Sequence, residues 1–293
     1  MATSNISKNT TKPLKRPQRR FIDLHVHSKY SDGDFEVNEI IDICLQRDLK
    51  AVAITDHDTI DGFNDGKEYA EESGLELVPG VEISAYYDGS EIHILGYLFD
   101  PTNLNLNMKL SELQQKRKTR AKKIVQKLNS HGIDISMERV FEKVKGTSIG
   151  RPHIAAVMLE EEYISTFSEA FEKHLSSENI KEFETEKLTP IEAMDMIKQA
   201  GGVTAMAHPA ETNRDDLIEP LVQAGLSGIE TYCNGADRST VSRYRNIAKK
   251  FNLIFCGGSD FHNDKGGGKF LPGCVKVPYA SLTALKRLRD SKA

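Results

Sequence analysis

The sequence predicts an α/β fold: a parallel barrel of about seven or eight strand–helix units, interrupted by an inserted helical lobe. Three observations carry this expectation. From Phe21 onward, short apolar runs alternate with helical stretches. Between Asn105 and about Leu188 the strand signals give out and helical ones dominate. From Pro190 the alternation resumes, and the repeat count suits a barrel better than an open sheet.

Phe21–His25 reads as the first strand. Val37–Arg47 places Val37, Ile40, Ile41, Cys44 and Leu45 at helical spacing. Ala51–Thr55 is a short buried strand, and Gly62–Ser73 a helix stopped by Gly74. Glu76–Ser84 and Glu91–Phe99 flank Asp88-Gly89 as a hairpin or paired strand excursion. In the lobe, Met108–Ser130 is a long helix ending at His131-Gly132. Shorter helices follow near Met137–Lys145, Pro152–Glu161 and Phe167–Leu175. Pro190–Gln199 is a helix stopped by Gly201-Gly202. Strands at Val203–Ala207, Gly228–Tyr232 and Leu253–Cys256 then alternate with helices at Asp216–Ala224, Arg238–Lys250 and Ser281–Asp290. The expected organisation is a disordered basic tail over 1–20, a barrel domain over 21–103 and 189–293, and the lobe over 104–188.

The formal net charge of −4 argues against a protein that coats nucleic acid, though it permits a local basic patch. No apolar run is long enough to span a bilayer, and the polar first twenty residues lack the apolar core of a signal peptide. Their Lys15-Arg16-Pro17-Gln18-Arg19-Arg20 end could touch RNA or a nucleotide. Cys44, Cys233, Cys256 and Cys274 form no C-x-x-C pair, so the expected compartment is the reducing cytoplasm. Neither a membrane nor an obligate protein partner is expected.

The histidines and carboxylates fall where strands end. His25 and His27 close the first strand, and Asp56 and His57 lie just past the second. Glu82 ends the Leu77–Ile83 run, His208 follows Val203–Ala207, and Asp260 and His262 follow Leu253–Cys256. In a parallel barrel these ends open on one face, where such folds place their chemistry. A lone strand-end histidine is more often a hydrogen-bonded structural residue, and His25-x-His27 is common by chance because alternate strand residues share a face. The joint occurrence points to a metal site. Imidazole and carboxylate ligands without thiolates suit Mn²⁺, Fe²⁺ or Zn²⁺, and bridging carboxylates favour several ions. Such a site can polarise a phosphate oxygen and lower the pKa of a water, which phosphoester hydrolysis needs.

Asp23-Leu24-His25-Val26-His27-Ser28, Ser31-Asp32-Gly33, Thr55-Asp56-His57-Asp58, Pro79-Gly80-Val81-Glu82-Ile83, Ala207-His208-Pro209 and Gly258-Ser259-Asp260-Phe261-His262 resemble, in order, the motifs of the polymerase and histidinol phosphatase (PHP) superfamily. The resemblance runs from Phe21 to about Cys274. Within the superfamily, the helical insertion, Gly150-Arg151-Pro152-His153 and Asp32 resemble the branch that hydrolyses nucleoside 3′,5′-bisphosphates and trims short 5′-phosphorylated RNA from its 5′ end. The resemblance implies a distorted (β/α)₇ TIM-like barrel and three divalent ions, usually manganese. It implies a first ion on His25, His27, Glu82 and Asp260, and a second on Asp32, His57 and His262. The third would sit on Glu82, His93 and His208, with Glu82 bridging.

The expected reaction is attack on phosphorus by a metal-bridging hydroxide, with no covalent intermediate. Arg151 is the expected phosphate clamp, because a guanidinium grips two phosphate oxygens. His153 would contact phosphate or protonate the leaving oxygen. The bland reading of Arg151-Pro152-His153 is a helix start with Pro in the first turn. Lys116-Arg117-Lys118, Arg120, Lys122 and Lys123 read as a solvated helix face, or else as a track for an RNA backbone. Ser259 and Asn234 could bind substrate, although Asn234-Gly235 reads equally as a turn. Lys265-Gly266-Gly267-Gly268-Lys269 reads as a flexible loop that could reach a 5′ phosphate. His131 and His174 stay outside the site. The competing functions are a histidinol-phosphate-type phosphatase, against which Asp32 and the insertion argue, and a non-catalytic scaffold for a polymerase.

Overall fold

A computed structural model describes residues 20–183 and 187–292 of the chain. Apart from Arg20, the expected basic tail lies outside the described residues. The first part of the chain runs β1 (Phe21–Val26), α1 (Val37–Gln46), β2 (Leu49–Ile54), α2 (Asp61–Ser73), β3 (Glu76–Tyr87) and β4 (Ser90–Tyr97). Helices α3 (Leu104–Ser130), α4 (Met137–Lys143), α5 (Arg151–Glu160), α6 (Phe167–Lys173) and α7 (Pro190–Gln199) follow. The last part runs β5 (Val203–Met206), α8 (Pro209–Thr212), α9 (Ile218–Gln223), β6 (Gly228–Tyr232), α10 (Arg238–Lys250), β7 (Ile254–Gly257), β8 (Val277–Pro278) and α11 (Tyr279–Asp290).

The strands form one sheet in the order β7-β6-β5-β4-β3-β2-β1-β8. Its two ends nearly meet. Val26 bridges Phe261 just after β7, the His27 N–H donates to Phe261 O at 2.8 Å, and the Asp260 N–H donates to His25 O at 2.8 Å. The result is a distorted TIM-like barrel. Pairing is parallel from β1 to β3 and from β5 to β7. The hairpin expected about Asp88-Gly89 is present: β4 runs antiparallel to β3, and also to β5, within the otherwise parallel run from β1 to β7. The cause is local: Asp88 (φ 46°) and Gly89 (φ 79°) make a tight hairpin turn of the kind that needs positive φ at both positions. The short β8, antiparallel to β1, carried no signal in the sequence.

Helix faces explain the layers around the sheet. In α1 the buried residues Val37, Ile40, Ile41 and Cys44 repeat at helical spacing, and α2 ends on left-handed Gly74 (φ 74°). One apolar cluster draws on β1, β2, β3, β4, β5, β7, β8 and α11, from Leu24 and Tyr97 to Leu285. A second joins β3 and β4 to α3, α7, α9 and α10. A third buries residues between Ala121 and Ile180, and a fourth joins β1 and β2 to α1 and α2. Helix α3 belongs to two of them: Leu106, Leu110 and Leu113 pack with the strands, while Ala121, Ile124, Val125 and Leu128 pack with the other helices. Among the described residues no helix is long and apolar enough to cross a membrane. The four cysteines are unpaired.

Candidate metal centre

The barrel brings all the sequence-predicted histidines and carboxylates to one end. His25 and His27 leave β1 two residues apart and are wholly buried. Glu82 lies within β3, which continues past it to Tyr87, and is 1% exposed. His57 follows β2 and bridges Glu82. His93 pairs with Ser84 near the start of β4. Because β4 is antiparallel, its beginning lies beside the far half of β3, so His93 reaches the same end as residues that follow parallel strands. Three residues here hold left-handed backbone without being glycine: Asp58 (φ 53°), His208 (φ 24°) and Asp260 (φ 51°). Such conformations cost energy and collect at functional sites.

Glu82 is the hub. Its Oε2 lies 3.3 Å from His25 Nε2, 3.2 Å from His27 Nε2 and 3.2 Å from His57 Nδ1. Its Oε1 lies 2.9 Å from His93 Nδ1 and 3.0 Å from His208 Nε2. Asp260 Oδ1 is 3.2 Å from both His25 Nε2 and His27 Nε2. Asp32 Oδ1 stands 3.5 Å from His262 Nε2 and 3.6 Å from His27 Nδ1, and Asp32 Oδ2 is 3.8 Å from His57 Nε2. Three sets of donor atoms are close enough to hold an ion: His27, Asp32, His57 and His262; His25, His27 and Asp260; and His57, Glu82 and His93.

Hydrogen bonding does not account for this convergence. His25 Nε2 and His27 Nε2 face each other at 3.1 Å. His57 Nδ1 is buried near Glu82 without a directed hydrogen bond, and Asp32 Oδ1 is likewise buried without one. Donor atoms about 3 Å apart have the spacing of ligands that share one ion at roughly 2.0–2.2 Å. The donor chemistry and these orphaned atoms fit divalent cations.

The electrostatics agree. Burial pushes the Glu82 carboxyl upward, but His25, His57 and His93 overcome it and hold the group well below the usual carboxylate range. Burial likewise opposes ionisation of Asp260, which His25 and His262 reverse, and of Asp32, which His57 and His262 reverse. Burial lowers the imidazoles in turn. Asp32 and Asp260 nevertheless bring His262 up to about 10, and Glu82 and Glu91 bring His93 up to about 9. His57 stays well below its ordinary value, because burial outweighs Glu82 and Asp32. Without an ion, therefore, protons on the histidines balance the carboxylates.

Residues outside the ligand set brace it, and Glu230 among them carried no sequence signal. Glu230 of β6 places both oxygens 3.1 Å from His25 Nδ1 and accepts the His208 N–H at 2.7 Å. A carboxylate on the far nitrogen fixes a ligand histidine's tautomer and orientation. Asp23 accepts N–H bonds from His25, Ser259 and Gly273, tying β1 to the segment that carries Asp260. Gly258 must lack a side chain there: a Cβ would lie 2.4 Å from His25 N and 2.5 Å from Asp23 Oδ1. Asp56 accepts from Ser28 N and from the hydroxyls of Ser28 and Ser31, bracing the loop that presents Asp32.

The helical segment adds cations. Arg151 starts α5, donates to Glu91 Oε2 at 2.8 Å, and has its guanidinium 5.8 Å from the Phe171 ring. Glu91 Oε1 stands 3.4 Å from His93 Nε2 and also meets Lys187 at 2.5 Å. His153 is buried, and its Nδ1 accepts from the Gly150 N–H at 3.0 Å, so the helix-start reading holds for this residue. Burial lowers its pKa against the pull of Asp32. The expected solvated face of α3 fails at Arg117. That side chain is 10% exposed and donates to Asp58 Oδ2, Ser84 Oγ and Ile149 O. With Arg120 and Arg151 it lines a recess of about 90 Å³ bounded by Asp32, His57 and His93. Asn234-Gly235 is a turn, and His131 and His174 line a separate groove on the helical segment.

The PHP domain profile matches residues 23–182. A phosphoribosyl 1,2-cyclic phosphate 1,2-diphosphodiesterase of Eggerthella lenta is 28% identical over 83% of this chain and 95% of its own length. A 5′-3′ exoribonuclease of Haemophilus influenzae is 31% identical over 82% and 89%. A 3′,5′-nucleoside bisphosphate phosphatase of Chromobacterium violaceum is 28% identical over 85% and 89%. Among solved structures, a candidate metal-dependent phosphoesterase of Bifidobacterium adolescentis superposes with a TM-score of 0.80 at 29% identity, covering 92% of this chain and 96% of that one.

Proposed function

The chain belongs to the PHP domain family and is a metal-dependent phosphoester hydrolase, and from that premise we propose that its substrates are ribose phosphates carrying a second phosphate. Nucleoside 3′,5′-bisphosphates, losing the 3′-phosphate, and short 5′-phosphorylated RNA, shortened from the 5′ end, are the substrates of first choice. The observation that carries this reading is the recess lined by Arg117, Arg120 and Arg151 directly beside His57 and His93. A phosphate held there stands next to a phosphate held at the metal cluster, and guanidinium forks match phosphate oxygens.

We assign three ions, with Mn²⁺ as the metal of first choice, to His25, His27, Glu82 and Asp260; to Asp32, His57 and His262; and to Glu82, His93 and His208. When bound, they supply Lewis acidity toward phosphoryl oxygens and a nucleophilic oxygen at neutral pH. The chain supplies the rest. Glu230 keeps a proton on His25 Nδ1 and leaves Nε2 as the donor toward the cluster. Glu91 holds Arg151, and Asp58 holds Arg117, so both forks are oriented before substrate arrives. His153 offers its Nε2–H to a phosphate oxygen or to the leaving oxygen.

A second reading has its own support. The Eggerthella lenta relative is named for a cyclic phosphate on phosphoribose, which also combines a ribose with two phosphates. The test is hydrolysis by Mn²⁺-loaded protein, read as phosphate release from adenosine 3′,5′-bisphosphate and from histidinol phosphate, as mononucleotide release from a short 5′-phosphorylated RNA, and as ring opening of phosphoribosyl 1,2-cyclic phosphate. Release from a bisphosphate or RNA supports the first reading. Turnover of the cyclic ester alone supports the second. Histidinol phosphate as the best substrate, or no turnover of any, overturns both. We place the protein in the cytoplasm, in keeping with its unpaired cysteines.

A further inference from the structure

A second and larger cavity reaches the same cluster. It is a groove of about 480 Å³, with Asp32 and His262 at one side and His153, Phe167 and Lys265 among its walls. Asp32 and Pro152 border both this groove and the arginine recess, so they form the partition between the two. The compartments differ in size and chemistry. The recess has room for one phosphate and is rich in guanidinium. The groove's volume falls in the range of small-molecule sites, about 300 to 1,000 Å³, which includes room for a nucleoside. Asp34 and Glu142 line it together with Lys29, Lys143 and Lys145, so its charge is mixed rather than guanidinium-rich.

The groove wall also carries an aromatic ring. Phe167 is half-buried, anchored on the helical cluster with its ring 5.8 Å from that of Phe171. The Lys265 ammonium lies 4.6 Å over the Phe167 ring centroid. Lys265 is exposed and precedes Gly266-Gly267-Gly268, where positive φ at Gly267 (60°) and Gly268 (83°) shapes a surface turn. An exposed ammonium over a phenyl ring is a weak contact, and a stacked base covers the ring with far more π surface.

We propose that this groove holds the nucleobase of the substrate, stacked on Phe167 beneath Lys265, while the arginine recess holds the phosphate that is not cleaved. The inference rests on the ribose-phosphate reading and makes it specific to nucleotides. The test is calorimetric binding of adenosine 5′-monophosphate and of its base-free counterpart, ribose 5-phosphate, to the Mn²⁺-loaded protein. Wild-type protein should bind the nucleotide about ten-fold or more tightly than the sugar phosphate. Phe167→Leu, which keeps apolar bulk and folding, should remove most of that advantage without changing ribose 5-phosphate binding. Phe167→Tyr should retain it. An advantage that survives Phe167→Leu, or equal binding of the two ligands by wild type, overturns the nucleobase site. The ribose-phosphate reading stands or falls separately, on phosphate release from the bisphosphates.

Discussion

The end of the barrel that carries the cluster buries charge, whereas the helical segment between β4 and α7 buries hydrocarbon. Around Glu82 the buried groups include His25, His27, Asp56 and Glu230, and the shape holds because each carboxylate braces a histidine or a loop. Between Ala121 and Ile180 the buried groups are Ile124, Val125, Leu128, Val157 and Met158, and ordinary packing suffices. The helical segment nonetheless places Arg117, Arg151 and His153 beside the cluster, and Phe167 along the groove. The proposed function divides along the same line: it puts the metal ligands on the barrel and the groups that select the substrate on the helices.

That division can be broken by substitution. Glu82→Ala removes the one carboxylate that, among the described residues, touches five imidazoles. It should abolish both metal binding and phosphate release, a loss well beyond the roughly 10- to 100-fold that a supporting residue costs. Plasma emission spectrometry of the purified protein measures the metal. Glu230→Gln should weaken metal binding by about 10- to 100-fold, read by competition with a chelator, because His25 loses its anionic partner. Arg151→Ala should leave metal content unchanged and lower kcat/KM on 3′,5′-bisphosphates by about 10- to 100-fold, the worth of a charged hydrogen bond of about 2 kcal/mol. If Arg151→Ala also empties the metal sites, reaction and recognition are not separable in this way.

Much of the metal cluster was legible in the sequence because its groups follow strand-like runs, where a barrel must gather them. His93 was legible only by resemblance, since it lies inside a strand whose antiparallel direction depends on one turn. Glu230 was hidden because Gly228-Ile229-Glu230-Thr231 looks like any buried strand with one polar position, and its partner His25 is far away in sequence. Arg117 was hidden in a basic run, although a signal existed. It continues the buried stripe Leu106, Leu110, Leu113 and Ala121 along α3, so helix phase turns it inward while Lys116 faces out. The extent of the recess and groove depends on how α3, α5 and α6 pack, which no local pattern encodes.

Two smaller effects follow from the same division of the molecule. Leu128→Ala, in the helical core, should cost about 2–5 kcal/mol of stability by thermal or denaturant unfolding while leaving metal stoichiometry intact. Metal loading should also release protons at pH 7, because His93 near 9 and His262 near 10 are protonated in the metal-free protein and must become neutral to bind an ion. Affinity should therefore rise with pH between about 7 and 9. Calorimetry in buffers of differing ionisation enthalpy measures the protons released, and a pH-independent affinity over that range would count against these two histidines as ligands.

The proposed function requires the histidine–carboxylate cluster to bind several ions and to hydrolyse a phosphoester only when they are bound. Chelator-stripped protein, titrated with Mn²⁺ while bound metal and phosphate release from adenosine 3′,5′-bisphosphate are followed together, tests it most directly. The predicted result is no phosphate release at the start, a plateau at three ions per chain, and activity that rises with loading. Phosphate release by the stripped protein, or saturation at a single ion with full activity, would contradict it.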